Sequence, residues 1–484
     1  MAGRPFERAD VSGRAGPGRA EAAVAEAGGD PGTRTPTTTP LLPAGTPATT
    51  PAPTTSGTPA TIPSPPAGTP ARPAAGEPGT GARAHEGAAT AAPAGTPATA
   101  APAAALTTPA APDHLAALDG LRAVAVLAVL AYHILPDLPA VRSHVWDVVV
   151  HLNIGVQIFF VLSGFLIYSP FARSHLSGTP GPGLRSYARR RVLRIYPAYL
   201  AAFGLLWAAG VIKASSGRAL LSHLTLTQMY VDGPRGVGIG PAWSLVVEVS
   251  FYLFVPVWAL AVRLTTRWLG QAARWRAELA GAAALIATGL VANWFTSYGQ
   301  VARPLLVLPP ALPGLGCGMV LAILHAGRRA DPGLDRALAR LPRAGWFWIA
   351  ALAAFAVETT RGYDLLWATP DQRFWAAVWQ PLVSVLLVAP IVLVAARPGL
   401  PGRVASWAPL ASIGLVSYGT YLWQEATVNR VDQSGGVVWS IVDALFIVAV
   451  TVALGAASYL LIERPLLRRS GRRRRASDVA VTAL

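Results

Sequence analysis

Charge is scarce in this chain of 484 residues: Asp, Glu, Lys and Arg together make up 13%, against 52% hydrophobic residues. With a mean hydropathy of +0.42, this excludes an ordinary water-soluble domain and indicates an all-α chain crossing a membrane many times. Lysine is nearly missing. Lys213 is the only one, so arginine carries the net charge of +16. Cysteine is limited to Cys317, inside an apolar run, which excludes an intramolecular disulfide and a cysteine-based metal centre. No metal is expected at all. No secretory leader is expected either, because the first apolar run of sufficient length begins near Leu115. The arginines fall between apolar runs. That favours a positive-inside topology and contact with anionic headgroups over nucleic-acid binding.

Residues 1–112 have almost no aromatic content and no helical period. They are rich in Ala, Pro, Thr and Gly, with "GTPAT" at 45–49, 57–61 and 95–99. Such a segment cannot bury enough surface to offset its ordering entropy, so a disordered N-terminal region is expected. It is either a tether or a stretch upstream of the natural start. Residues 113–469 form the expected transmembrane region, and 470–484 a basic cytoplasmic tail.

Ten spans are expected, near 115–135, 146–171, 194–212, 243–262, 277–297, 304–327, 344–358, 374–396, 404–427 and 438–462. The seventh is the shortest. With the N-terminus inside, the inner loops carry 17 Lys and Arg and the outer loops 8. This asymmetry supports an even number of spans, with both termini cytoplasmic at the cell membrane.

Polar residues within these spans are costly and therefore informative. The first span, "LDGLRAVAVLAVLAYHI" (118–134), holds Asp119, Arg122 and His133. At about 100° and 1.5 Å per residue, Arg122 and His133 share a face, with His133 about 16 Å further out. The plain alternative is a histidine hydrogen-bonded between helices. In "PAWSLVVEVSFYLF" (241–254), Ser244, Glu248 and Tyr252 form one stripe below an interfacial Trp243. Glu248 is expected about 7–8 Å below Trp243, a depth that would match His133. "SYGTYLWQEAT" (417–427) adds Tyr418, Tyr421, Gln424 and Glu425, and the second span adds Asn153 and Gln157. Four segments placing polar groups in the outer half indicate a lined cavity. On the inner side, "RSYARRRVLRIYP" (185–197) groups Arg190, Arg191 and Arg194 at i, i+3 and i+4 spacings. Such a cluster is a topology signal and also a good phosphate clamp.

Six stretches carry a resemblance: "LDGLRAVAVLAVLAYH", "GVQIFFVLSGFLI", "ARRRVLRIYP", "WSLVVEVSFYLF", "SYGTYLW" and "ERPLLRR". In this order they resemble the signature segments of the membrane-bound acyltransferase-3 family of O-acyltransferases. The resemblance runs over about residues 113–469, after which too few residues remain for the extra domain fused to some relatives. It implies transfer of an acyl group, commonly acetyl, from acyl-CoA to a hydroxyl of a carbohydrate, lipid or secondary metabolite. It places His133 at the family's first-span histidine and Arg122 at the arginine earlier in that helix. Arg191 and Arg194 match an R-x-x-R motif linked to the CoA donor. Glu248 matches the acid after "WSL", and Tyr418 and Tyr421 match the late tyrosine segment. Two positions depart from the pattern: Gln424 stands where many members have histidine, and Gln157 where many have an acid.

The expected chemistry follows. A hydroxyl attacking a thioester needs a general base, and a neutral imidazole is the form that takes the proton. His133 is the candidate base, with Glu248 orienting it if their helices are neighbours. Arg122, Arg190, Arg191 and Arg194 are the candidate donor-binding residues. Asn153, Trp243, Ser244, Tyr252, Tyr418, Tyr421 and Gln424 are expected on the acceptor or oxyanion side. No bound cofactor is expected, and the partners are acyl-CoA, the hydroxyl acceptor and lipids. A transporter or flippase for a polyprenyl-linked or acylated molecule is the alternative, since polar groups inside a bundle also mark substrate paths. A scaffold built on a degenerate enzyme fold is a third. Binding of CoA separates the first two.

Overall fold

The computed structural model describes residues 112–137, 145–213, 216–231, 238–299, 307–341, 344–360, 369–393, 399–433 and 441–468. The expected disordered segment, except Pro112, and the basic tail lie outside these residues. Regular structure among the described residues is helical throughout. Ten principal helices occur: α1 (Pro112–Ile134), α2 (Ile154–Leu176), α3 (Leu184–Ala208), α4 (Trp243–Thr266), α5 (Gln271–Ser297), α6 (Leu312–Gly327), α7 (Ala344–Thr359), α8 (Pro370–Leu393), α9 (Ser417–Gln433) and α10 (Ile441–Ser458). Seven helical stretches are long and apolar enough to cross a membrane. They are Ala116–Ile134, Trp146–Leu176, Gly240–Thr266, Ala273–Ser297, Pro309–Gly327, Pro370–Leu393 and Ile441–Arg468. The protein is a multi-pass membrane protein.

The other three expected spans are helical but differ in form. The third begins ten residues early at Leu184, so Arg185, Arg189, Arg190, Arg191 and Arg194 belong to α3 rather than to a loop. Arginine is a good helix former, and the cluster extends the helix beyond its apolar part. The seventh, α7, has 16 residues. The ninth is broken into Gly399–Ala405, Ala408–Leu415 and α9. Trp407, at φ −58° and ψ 123°, leaves the helical region, and Pro409 restarts it within the first turn.

One face of α1 is buried, with Ala123, Ala125, Val126 and Leu130 fully inaccessible. Glycines allow its neighbours to approach backbone to backbone. A Cβ at Gly120 would overlap the carbonyl of Ala405, and one at Gly414 that of Asp119. α2 crosses α6 in the same way: Gly164 lies against the Leu315 carbonyl and Gly318 against the Val161 carbonyl. In lipid, where apolar surface alone gives little drive for association, such close crossings supply the packing. A buried polar tie joins α2, α4 and α5. Glu278 accepts from Tyr168 (2.6 Å) and pairs with His175 Nδ1 (2.7 Å), whose Nε2 lies 2.8 Å from Thr266 Oγ1. Leu253, Val257 and Leu260 on α4, and Ile441, Val442 and Phe446 on α10, stay exposed on apolar outer faces.

Candidate functional site

Two cavities lie along α1. The larger, about 480 Å³, is lined by His133 and Tyr132 of α1, Asn153, and Val156 and Gln157 of α2. Trp243, Tyr421, Asn293, Arg373 and Gln380 complete its polar lining. The smaller, about 60 Å³, is lined by Arg122, Phe159, Phe160, Ser163, Arg194, Ser244, Glu248 and Tyr418. Val156 and Tyr421 border both. Their order follows the helices. α1 runs from Arg122 to His133, while α2 runs the other way, from Asn153 to Ser163.

His133 donates from Nδ1 to the Val129 carbonyl at 2.8 Å, one turn back on its own helix. A carbonyl only accepts, so Nδ1 is the donor, and in the neutral imidazole Nε2 is then the lone-pair nitrogen. The Tyr132 ring stands edge-on at 5.0 Å between centroids. Asn153 Oδ1 accepts from Gln380 Nε2 at 2.9 Å, and Asn293 Nδ2 donates to the carbonyls of Gly289 and Pro310. The Tyr421 hydroxyl lies 2.8 Å from Ser244 Oγ and donates to the Pro241 carbonyl at 3.0 Å. This pair stiffens the wall shared by the cavities.

The arginine end is a charged network. Glu248 accepts from Tyr252 at 2.5 Å and from Ser163 at 3.4 Å. Arg122 faces Asp119 at 3.9 Å, and its Nε is buried without a hydrogen-bond partner. Arg194 pairs with Glu463 at 3.5 Å and sits over the Tyr418 ring at 5.8 Å. Arg191 sits over Tyr187 (5.6 Å) and Tyr252 (5.2 Å). Arg190 is exposed on the same helix.

Several expected placements change. His133, Asn153, Gln157, Trp243 and Tyr421 line one cavity, but Glu248 lines the other. The imidazole is held by its own backbone and the carboxylate by Tyr252 and Ser163. Ser244, Tyr252 and Tyr418 also belong to the arginine end; the Tyr418 hydroxyl donates to the Ile195 carbonyl at 2.8 Å. Tyr418 and Tyr421 both line the smaller cavity, and Tyr421, three residues and about 4.5 Å further along α9, also reaches the larger one. Gln424 lines neither cavity. It is buried, with Nε2 donating to the Tyr421 carbonyl at 3.1 Å and Oε1 unpartnered. The Glu425 side chain lies outside the described residues. Asn293, Arg373, Gln380, Ser163 and Glu463 were not expected. The first three are single polar residues near span ends, and Arg373 reads as a loop charge.

The model of the acyltransferase-3 family, described as an acyltransferase domain, matches residues 115–461. Acyltransferase MdmB of Streptomyces mycarofaciens is 27% identical over 390 residues, covering 74% of this chain and 93% of that protein. YrhL of Bacillus subtilis (strain 168), provisionally named a peptidoglycan O-acetyltransferase, is 27% identical over 73% of this chain. A protein of Staphylococcus aureus (strain COL), provisionally named an O-acetyltransferase, is 24% identical over 73%. The aligned region spans only 55% and 57% of the latter two proteins. No solved structure matches. With the family match running from the first principal helix into the turn that follows the last, the chain is an acyltransferase and belongs to the acyltransferase-3 family.

Proposed function

We propose that the protein moves an acyl group, most commonly acetyl, from acyl-CoA to a hydroxyl of a carbohydrate, lipid or secondary metabolite, with His133 as general base. The observation that carries this reading is the 2.8 Å contact of His133 Nδ1 with the Val129 carbonyl on the wall of the larger cavity. The backbone bond at Nδ1 leaves Nε2 as the basic nitrogen of a residue on the wall of a 480 Å³ cavity. The acceptor hydroxyl gives its proton to Nε2 as its oxygen attacks the thioester carbonyl carbon. The carbon–sulfur bond then breaks, and the departing CoA sulfur takes the proton from the imidazolium. The Val129 carbonyl orients the ring, the part that sequence reasoning gave to Glu248.

The donor approaches from the arginine end, where Arg190, Arg191 and Arg194 on α3, with Arg122, meet its phosphates. Tyr421, on the shared wall, serves as oxyanion donor once its one proton turns from the Pro241 carbonyl toward the thioester oxygen. The arginine distribution supports a cell-membrane protein with cytoplasmic termini and a cytoplasmic donor site. The similarity to YrhL, named for peptidoglycan, supports a carbohydrate among the acceptor classes.

The test is His133→Ala in purified protein. Acyl transfer should fall by roughly 10²-fold or more, the usual size for a general base. CoA binding and thermal stability should stay at wild-type levels. Near-normal turnover in this variant would end the assignment.

A further inference from the structure

The larger cavity has an unbalanced charge. Among the described residues its lining includes one permanent cation, Arg373, and one imidazole, but no carboxylate. Arg373 opens α8 and donates from Nη2 to the Ser297 carbonyl at 2.9 Å. That bond caps the end of α5 and accounts for one of the five N–H groups of a guanidinium. It does not account for Nε, which is buried without a hydrogen-bond partner. No ion pair to Arg373 occurs among the described residues. The neighbouring acid, Asp371, is hydrogen-bonded to Tyr298. Glu248 lines the other cavity.

The other polar side chains lining this cavity, His133 aside, are neutral, and the acid two residues from Arg373, Asp371, lines a different cavity. Gln157 has an unpartnered buried Oε1, Gln380 is bonded to Asn153, and Asn293 is bonded to two backbone carbonyls. Arg373 is part-buried, so water meets some of its charge, but its sealed Nε leaves one donor of the guanidinium for a group that enters the cavity. Guanidinium geometry suits a pair of oxygens on one centre, as in a carboxylate or phosphate.

We propose that the acceptor is anionic: it carries a carboxylate or phosphate that docks on Arg373 while its hydroxyl meets His133. This rests on the reading of the larger cavity as the acceptor side. It narrows that class to acidic sugars or phosphorylated alcohols and sugars. Arg373 is then a specificity-determining residue rather than a helix cap alone.

The probes are D-glucuronate, glucose 6-phosphate and D-glucose, used with purified full-length protein in detergent. Binding is read by calorimetry, and transfer is read with acetyl-CoA. Wild-type protein should bind at least one of the anionic probes about 10-fold or more tighter than glucose, the size of one charge-assisted contact. Whichever anion is preferred identifies the group. Arg373→Gln should bring that ratio to about twofold or less while leaving glucose affinity unchanged, and Arg373→Lys should retain part of it. Equal binding of all three probes by wild type would overturn the proposal. So would an anion preference that survives Arg373→Gln, or a loss that affects every probe equally, as a cap alone would give. The binding arm needs no chemistry. An anion preference without any transfer would count against the function and not against this inference, and transfer without charge preference would do the reverse.

Discussion

Replacing Arg194 by alanine tests two roles at once. In the structure its guanidinium lies 3.5 Å from Glu463, whose side chain is 2% exposed while that of Arg194 is 23% exposed. Glu463 Oε1 has no hydrogen-bond partner, so the arginine is the main compensation for a nearly sealed carboxylate. Removing one partner of a buried pair costs about 3–5 kcal/mol. The contact is long and Arg194 partly wet, which puts the expectation at the lower end, about 3 kcal/mol. Neutralising the stranded carboxyl at pH 7, from an ordinary value near 4.3, costs about 3.7 kcal/mol and sets a ceiling. The assay is unfolding in detergent for Arg194→Ala, Glu463→Leu and the pair Arg194→Met with Glu463→Leu. The double apolar variant should return to within about 1 kcal/mol of wild type, because the unpaired charge is gone. CoA affinity should stay low in it if Arg194 also holds a donor phosphate. A single Arg194→Ala variant as stable as wild type would refute the burial argument. A restored double variant with full CoA affinity would leave Arg194 a structural role only.

Two further outcomes are expected. Gly164→Leu should destabilise by more than about 3 kcal/mol, above the usual overpacking range, because the obstacle is the Leu315 carbonyl rather than a movable side chain. Gly204→Ala, with nothing within 4 Å, is the control; equal folded yield from the two would refute this. Asp331 accepts from the backbone N–H of Gly333 (2.7 Å) and Leu334 (3.3 Å), and these bonds hold its carboxyl below the ordinary range. A depressed native value means the contribution is present above the unfolded value near 3.9 and is lost as pH falls through the native one, so Asp331→Ala should be less stable than wild type above about pH 4, with the gap closing only at lower pH. A gap that closes between pH 7 and pH 5 in stability measurements would contradict this.

Periodicity and hydropathy placed a helix at every expected span, since a bilayer forces each backbone polar group into a helical bond. One grouping of polar residues was also legible. The outer-half residues His133, Asn153, Gln157, Trp243 and Tyr421 do meet around one cavity. What a single helix does not reveal is the neighbour its face turns toward. Glu248 was expected near the depth of His133, yet it lies on the arginine side with Tyr252 and Ser163. Arg373 illustrates the other limit. A charge at a span boundary looks the same in sequence whether it faces water, caps a helix or lines a cavity. The break at Trp407 and Pro409 was hidden inside an apolar run, where hydropathy does not register a turn.

The wall formed by Val156 and the Tyr421–Ser244 pair has a consequence for the membrane itself. Polar spaces along one helix from opposite directions would, if joined, become a leak for protons and ions. A cell that maintains a gradient cannot tolerate such a leak in an enzyme present at all times. One ring, that of Tyr421, borders both spaces, so on the proposed reaction route the side chain beside the chemistry is also part of the barrier between them. On that route, changes that open the wall for a larger acyl group would also thin the barrier between the two spaces.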